Sequence, residues 1–307
     1  MTHPLTNAPW GFFAAEDFQA LELPPREVLM PPWLLTNSIN MLYAKAGIGK
    51  SNFALGLSVA LARGEPFLGF TPARQARVVY VDGEMPSQEL MRRLDAMTGK
   101  QGTHGNLFVY SMAQCESPFR IKHLNTEEGQ QELMCRVDDV GCDLLVLDNK
   151  STLFSNMREN DSGTWDNVQS WLMALRSSGM AILILHHAGK GGDQRGSSQH
   201  NVVNDITIEL YEPAGPEPDE GSHFVVNFDK KRHLQGKESK PTLVRLMMTD
   251  QGAIWHHEPY TGGRKVDPRR QQAIVLHEQG VGQREIARQL KASPSTINTW
   301  VNESEAA

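Results

Sequence analysis

"NMLYAKAGIGKSNFALGLSVALARG", Asn40 to Gly64, joins a short apolar run to a long amphipathic one through a glycine-containing loop. Ile39 to Tyr43 reads as a buried strand, and the residues from Ser51 read as a helix closed by Arg63 and Gly64. Between them, Ala44 to Ser51 fits the phosphate-loop pattern of Ala or Gly, four free positions, then Gly-Lys-Ser, in the strand-loop-helix setting that its mechanism requires. Gly47 and Gly49 let the backbone curl so that successive N–H groups face phosphate oxygens, helped by the positive end of the following helix. Lys50 is placed to meet the β- and γ-phosphates, and Ser51 to ligate Mg²⁺. Ala44 costs little, because its methyl lies at the strand end. The expected nucleotide-binding set is Ala44, Lys45, Ala46, Gly47, Ile48, Gly49, Lys50, Ser51 and Asn52, with ATP and Mg²⁺ as ligands.

Downstream, apolar runs alternate with amphipathic ones. Strands are expected at 77–84, 107–112, 143–148 and 181–187, and helices at 87–97, 127–139 and 164–178. Short strands buried on both faces and separated by helices indicate a parallel sheet with right-handed crossovers. After Asp205 only strand patterns remain, "DITIEL", "HFVVNFDKKRH", "TLVRLMMT" and "AIWHHE". The fold expected is therefore α/β, a mostly parallel sheet flanked by helices with an antiparallel extension, plus a small all-α domain. Its divisions are an arm at 1–38, rich in Pro and aromatics, an ATPase domain at 39–258, a linker at 259–267 and a helical domain at 268–303.

Composition sets the outer limits. The 307 residues allow a full core and a second module, and the net charge of −6 argues against a protein coated along its whole surface with nucleic acid. Charge is unevenly spread: Arg264 to Asn302 holds seven basic residues against three acidic. Three scattered cysteines, Cys115, Cys135 and Cys142, make neither a zinc spacing nor a disulfide framework. With no charged secretory start and no apolar run near ~18 residues, a cytoplasmic protein without a membrane partner is expected.

A phosphate loop needs a carboxylate at a neighbouring strand end to hold Mg²⁺, and "CDLLVLDN" supplies Asp148. Residue 149 is Asn, so the water-activating base must lie elsewhere. Glu84, ending "VVYVDGE", is the candidate, with Asp82 as its competitor on the same side of the strand. In "LILHHAGKGG" a polar residue at the strand tip can sense γ-phosphate, His187 foremost and His186 next, and alternation lets only one of them face the nucleotide.

The tail "QREIARQLKASPSTINTWV" reads as a helix-turn-helix, with Ile286, Leu290, Ile297 and Trp300 forming its interior and Ala287 at the helix crossing. Ser293 and Pro294 start the second helix, and an earlier helix from Arg269 ends before Gly280. Lys291 stands at the turn position where Gly is usual. Arg284, Arg288, Ser295, Thr296, Asn298 and Thr299 are the residues expected to face duplex DNA. The spacing resembles resolvase-type and homeodomain-like modules.

Taken in order, the phosphate loop, "VVYVDGEMP", Asp148, and the run from His186 through "QRGSSQ" resemble RecA-like hexameric replicative helicases of the plasmid RepA type, over about Pro24 to Glu258. That resemblance implies a homo-oligomeric ring with ATP between subunits. "FDKKRHLQG" is similar to the family's Lys-x-Arg element, which implies Arg232 as a finger acting in trans with Lys230 beside it; Arg195 of "RGSS" is the rival. Two pore loops are implied, 149–161 with Lys150, Arg158 and Phe154, and 189–198 with Lys190, contacting single-stranded DNA. The expectation is an ATP-driven helicase or translocase for a plasmid, phage or mobile element; the alternative is an ATP-switched DNA-binding regulator.

Overall fold

The computed structural model describes residues 13–22, 25–116, 119–154, 162–188, 203–216, 221–265 and 267–305, with residues 162–166, 303 and 305 described in the backbone only. Nine strands form one sheet. Six run parallel: β3 (Ser38–Ala44), β4 (Val78–Asp82), β5 (Leu107–Ser111), β6 (Leu144–Asp148), β7 (Ala181–His187) and β8 (Ile206–Tyr211). β9 (Ser222–Lys231), β10 (Thr242–Thr249) and β11 (Gly252–Pro259) add an antiparallel extension, giving the order β11-β10-β9-β8-β3-β7-β6-β4-β5. The central strands β3, β4 and β6 are buried at every position, as apolar runs covered on both faces must be.

Helices α2 (Lys50–Arg63), α3 (Ser87–Thr98), α4 (Glu127–Val140) and α6 (Ser162–Ser177) make the crossovers, and two apolar clusters fill the space on either side of the sheet. On one side Phe53 of α2, Phe67 and Trp255 of β11 stack edge to face at 5.3 and 5.1 Å, so the antiparallel extension packs back onto α2. Gly56 makes that approach possible: a Cβ there would lie 2.7 Å from Trp255 and 2.8 Å from Phe67.

Two expectations need correction. Within the segment 1–38 read as an arm, the described residues hold helix α1 (Ala15–Gln19) and a hairpin of β1 (Val28–Met30) with β2 (Leu34–Leu35). Leu29, Met30, Trp33 and Leu34 are at most 2% exposed and belong to the main core, so the hairpin is an integral layer and not an arm, whereas α1 buries none of its residues. The loop read at 149–161 begins as a short helix, α5 (Lys150–Leu153), which packs under the tip of β4: a Cβ on Gly83 would meet Leu153 at 2.7 Å.

C-terminally, α7 (Arg269–Glu278), α8 (Gln283–Gln289) and α9 (Pro294–Glu305) enclose their own core of Ala273, Ile286, Ala287, Leu290, Ile297, Trp300 and Val301. Lys291 carries a left-handed backbone, φ 49°, at the turn between α8 and α9. Arg269 ties that turn down, donating to the carbonyls of Leu290 and Lys291 at 3.2 Å each while its guanidinium faces the Trp300 ring.

Candidate nucleotide site and DNA-facing module

Ala44, Asp82, Asp148 and His187 are the last residues of β3, β4, β6 and β7, which lie side by side in the sheet, so the strand ends converge on one crevice. In open parallel sheets that edge is where ligands bind. The loop from Lys45 to Gly49 rises from it, with Gly47 at φ 85° and Gly49 at φ 117°, conformations that side chains rarely adopt. Gly49 also has the Phe224 ring of β9 against it, 3.1 Å from where a Cβ would stand. Lys45, Ala46 and Gly47 are exposed, Ile48, Gly49, Ser51 and Asn52 half-buried, and Lys50 buried.

Lys50 Nζ donates to the carbonyls of Ala44 (3.1 Å) and Lys45 (3.2 Å) and lies 3.2 Å from His187 Nδ1. Burial pulls this ammonium below the usual lysine range, and Asp148 and Glu84 push it back up. His187 Nε2 lies 3.2 Å from Asn149 Nδ2 and 3.5 Å from Glu84 Oε2, so His187, not His186, faces this crevice. Asn149 donates its amide to Glu84 as well, while its Oδ1 caps α5 by accepting from the N–H groups of Ser151 (2.9 Å) and Thr152 (3.4 Å). One side chain therefore links the candidate base, the candidate sensor and the helix beyond β6. Sequence reading treated Asn149 only as a missing glutamate.

Asp148 is 3% exposed and accepts from the Tyr80 hydroxyl (2.6 Å) and from Ser51. Tyr80 was also missed: it reads as one more apolar strand residue, and only the alignment of β4 with β6 brings its hydroxyl to the carboxylate. Asp82 pairs with Asp148 across the two strands. Its Oδ1 accepts from the N–H groups of Met85 (2.9 Å) and Glu84 (3.3 Å), shaping the turn that presents Glu84, while Oδ2 is buried without a hydrogen-bond partner. Burial and then the Asp148 charge raise the Asp82 pKa to about 7, and Asp148 is raised as well, chiefly by burial. Asp82 is thus a turn former, and the half-exposed Glu84 is the carboxylate open to a water.

Two buried carboxylates side by side, one with an orphaned oxygen, make a donor set short of positive charge. That fits a divalent cation such as Mg²⁺, which takes one or two carboxylates and leaves its other positions to water and phosphate. Asp148 and Ser51 would hold it; bound, it would neutralise charge building on the phosphate oxygens.

Lys230 and Arg232 lie at the far end of β9: Thr207 and Ile206, at the start of β8, pair with Lys230 and Lys231, and the Arg232 N–H donates to Asp205. The height of β3 separates them from the phosphate loop, ~15 to 20 Å at the usual strand rise. Neither serves the loop of its own chain. Of the implied pore-loop residues, Lys150 is corrected: it is 8% exposed at the start of α5, where it presents no surface to a strand. Phe154 likewise is 3% exposed, packed against Trp171. Arg158, Lys190 and Arg195 lie outside the described residues. On the helical module, Arg284, Arg288, Ser295 and Asn298 are exposed and Thr296 and Thr299 half-buried, with Ser293 capping α9 through the Thr296 N–H at 3.1 Å. Among the described residues, no helix is long and apolar enough to cross a membrane.

Comparison with known proteins agrees with this architecture. The profile of a family described as AAA domain matches residues 7–193, and that of a homeodomain-like domain matches residues 265–306. Among solved structures, a KaiC-like protein of the hyperthermophilic archaeon Pyrococcus horikoshii superposes with a TM-score of 0.51 at 15% identity, over 74% of this chain and 93% of that one. The flagellar accessory protein FlaH of Methanocaldococcus jannaschii gives 0.51 at 13% identity, over 72% and 90%. At such identity the likeness is one of fold, a RecA-like core.

Proposed function

This chain belongs to the AAA domain family of P-loop ATPases, and on that footing we propose that it is an ATP-dependent, ring-forming DNA motor. Its task would be to translocate on single-stranded DNA and unwind duplex during replication of a plasmid, phage or mobile element. In this reading the loop from Ala44 to Asn52 cradles the phosphates, Lys50 leaves its carbonyls for the β- and γ-phosphates, and Ser51 with Asp148 holds Mg²⁺. Glu84 orients and deprotonates the attacking water, Asn149 and His187 hold Glu84 in place, and His187 registers the γ-phosphate.

The observation that carries the ring is the position of Lys230 and Arg232, at the end of the sheet opposite the phosphate loop. A finger that serves no site in its own subunit can serve a neighbour's only in a head-to-tail contact, and such contacts give a ring where the rotation between neighbours closes and a filament where it does not. An arginine supplied in trans is worth ~10³ to 10⁵ in rate. Domain limits of 39–258 for the motor and 268–303 for the DNA reader are part of the same proposal.

A second reading, an ATP-switched DNA-binding regulator without unwinding activity, draws support from the close bonding between the ATPase sheet and the segment leading into the helix-turn-helix. Specific turnover measured against protein concentration, with and without single-stranded DNA, tests both. The motor requires turnover per subunit that rises with concentration, stimulation by single strands, strand displacement, and poisoning of parent subunits by admixed Arg232→Ala. Turnover independent of concentration and of single strands overturns it; stimulation by one duplex alone selects the regulator.

A further inference from the structure

Tyr80 stands in the middle of β4, fully buried, with its ring in the main core. Its Cα partner on β6 is Val146, so the side chain reaches diagonally, two residues along the neighbouring strand, to Asp148. The hydroxyl donates to Asp148 Oδ2 at 2.6 Å, the length of a bond to an ionised carboxylate. A phenol has one hydrogen to give, and this one goes to the carboxylate that would hold Mg²⁺ together with Ser51. Packing fixes the ring, and the ring fixes the orientation of the carboxylate.

A donated hydrogen bond draws negative charge toward the oxygen that accepts it and engages one of its lone pairs. Asp148 therefore presents one unburdened oxygen, Oδ1, and not two equal ones. Its strand neighbour Asp82 is divided in the same way: Oδ1 accepts from the N–H groups of Met85 and Glu84, and only Oδ2 is left over. Each carboxyl of the pair has one oxygen tied and one to offer. Mg²⁺ is small, keeps six ligands in a near-ideal octahedron and retains several waters, so single carboxylate oxygens suit it. Ca²⁺ takes six to eight oxygens at longer range and commonly grips both oxygens of a carboxylate.

We propose that Tyr80 is a positioning residue that sets the cation preference of this crevice: by holding Oδ2 it makes Asp148 a one-oxygen ligand and selects Mg²⁺ over Ca²⁺. The inference rests on the nucleotide reading of the phosphate loop and deepens it, assigning the choice of cation to a residue that acts through Asp148. Removing the hydroxyl frees Oδ2 and lets the carboxylate turn. The site then loses the fixed single oxygen that Mg²⁺ uses and gains the two-oxygen grip that Ca²⁺ accepts.

Binding of a fluorescent, slowly hydrolysed ATP analogue to the full chain tests this without turnover. The analogue is titrated metal-free in EDTA, with Mg²⁺ in excess and with Ca²⁺ in excess, for the parent and for Tyr80→Phe, which keeps the buried ring and removes only the hydroxyl. The parent should bind the Mg²⁺ complex several-fold more tightly than the Ca²⁺ complex, a check that needs no variant. In Tyr80→Phe the Mg²⁺ complex should weaken by ~10-fold, the low end of the usual cost of removing a group that orients a metal ligand. The Ca²⁺ complex and the metal-free analogue should stay within a few-fold of the parent, so the preference narrows; a merely structural disturbance would weaken all three alike. A parent that binds both complexes equally, or a folded Tyr80→Phe with the parental ratio between them, overturns the assignment and leaves the phosphate loop standing. Failure of the parent to bind the analogue in any form overturns the nucleotide reading and this assignment with it.

Discussion

Replacing Asp82 by Asn isolates the electrostatic cost of placing two carboxylates together in the crevice. Asn keeps the Oδ1 acceptor that receives the N–H groups of Glu84 and Met85, so the turn survives, while the charge beside Asp148 disappears. The folded-state pKa of Asp82 is raised to about 7, by burial first and by Asp148 second, against about 3.9 for an ordinary aspartate. Between those two values the folded protein holds a proton that the unfolded chain has given up. Stability from this group is therefore fully present below pH ~4, is lost as pH rises toward 7, and stays lost above it. At about 1.4 kcal/mol per pH unit, the parent carries a penalty of about 4 kcal/mol at pH 8 and about 1.5 at pH 5. Asp82→Asn should therefore stabilise the metal-free protein by about 2.5 kcal/mol more at pH 8 than at pH 5, the other titrating groups cancelling between the two proteins. Urea unfolding of both proteins in EDTA at the two pH values measures the difference directly. An equal stability difference at both pH values, or a variant less stable than the parent at pH 8, refutes the reasoning. Adding Mg²⁺, which supplies the missing positive charge at Asp148, should shrink the advantage of Asn.

Further outcomes follow from the same geometry. Asn149→Asp keeps the acceptor that caps α5 but replaces the amide that faces Glu84 and His187 by a further buried carboxylate; we expect kcat to fall by ~10²- to 10⁴-fold, the usual range for a displaced general base, with KM for ATP within a few-fold and stability reduced at pH 8. Parental kcat in the folded variant would make Asn149 a cap and nothing more. Gly56→Ala should gain about 1 kcal/mol of helix propensity and lose about 1 to 3 by overpacking against Trp255 and Phe67. Net destabilisation in urea unfolding is expected, relieved by Trp255→Leu; a variant more stable than the parent would contradict the packing. Cys142, whose thiol burial pushes up to about 12, should resist iodoacetamide at pH 8 until the chain unfolds, while the exposed Cys135 reacts.

What could be read from the residues was whatever each residue's own neighbours in the chain determine. Strands β3, β4, β6 and β7 were legible because an apolar run between turn signals has few other fates, and with them the four strand ends that carry Ala44, Asp82, Asp148 and His187. Illegible were the contacts that exist only once strands are aligned. Tyr80 looks apolar until β6 lies beside β4, and Asn149 looks like an absent glutamate until Glu84 and His187 arrive on either side of it. The Pro-rich start suggested an arm because its turns are visible in the sequence while the burial of Trp33 is not. Gly262 and Gly263 announced a boundary, yet the Glu209 that binds Arg264 beside them lies 55 positions away in the chain.

The crevice is defined by needs that a nucleotide would meet. Lys50 bonds to carbonyls of its own loop, an arrangement that supplies hydrogen-bond acceptors but no opposite charge to an ammonium that burial already destabilises. Asp82 and Asp148 have the converse shortage, two buried carboxyls with too little positive charge between them. A triphosphate alone would satisfy Lys50 and aggravate the carboxylates; a divalent cation alone would satisfy the carboxylates and take from Lys50 the support of the Asp148 charge. Only the two together balance the crevice, so binding of metal and nucleotide should be mutually dependent.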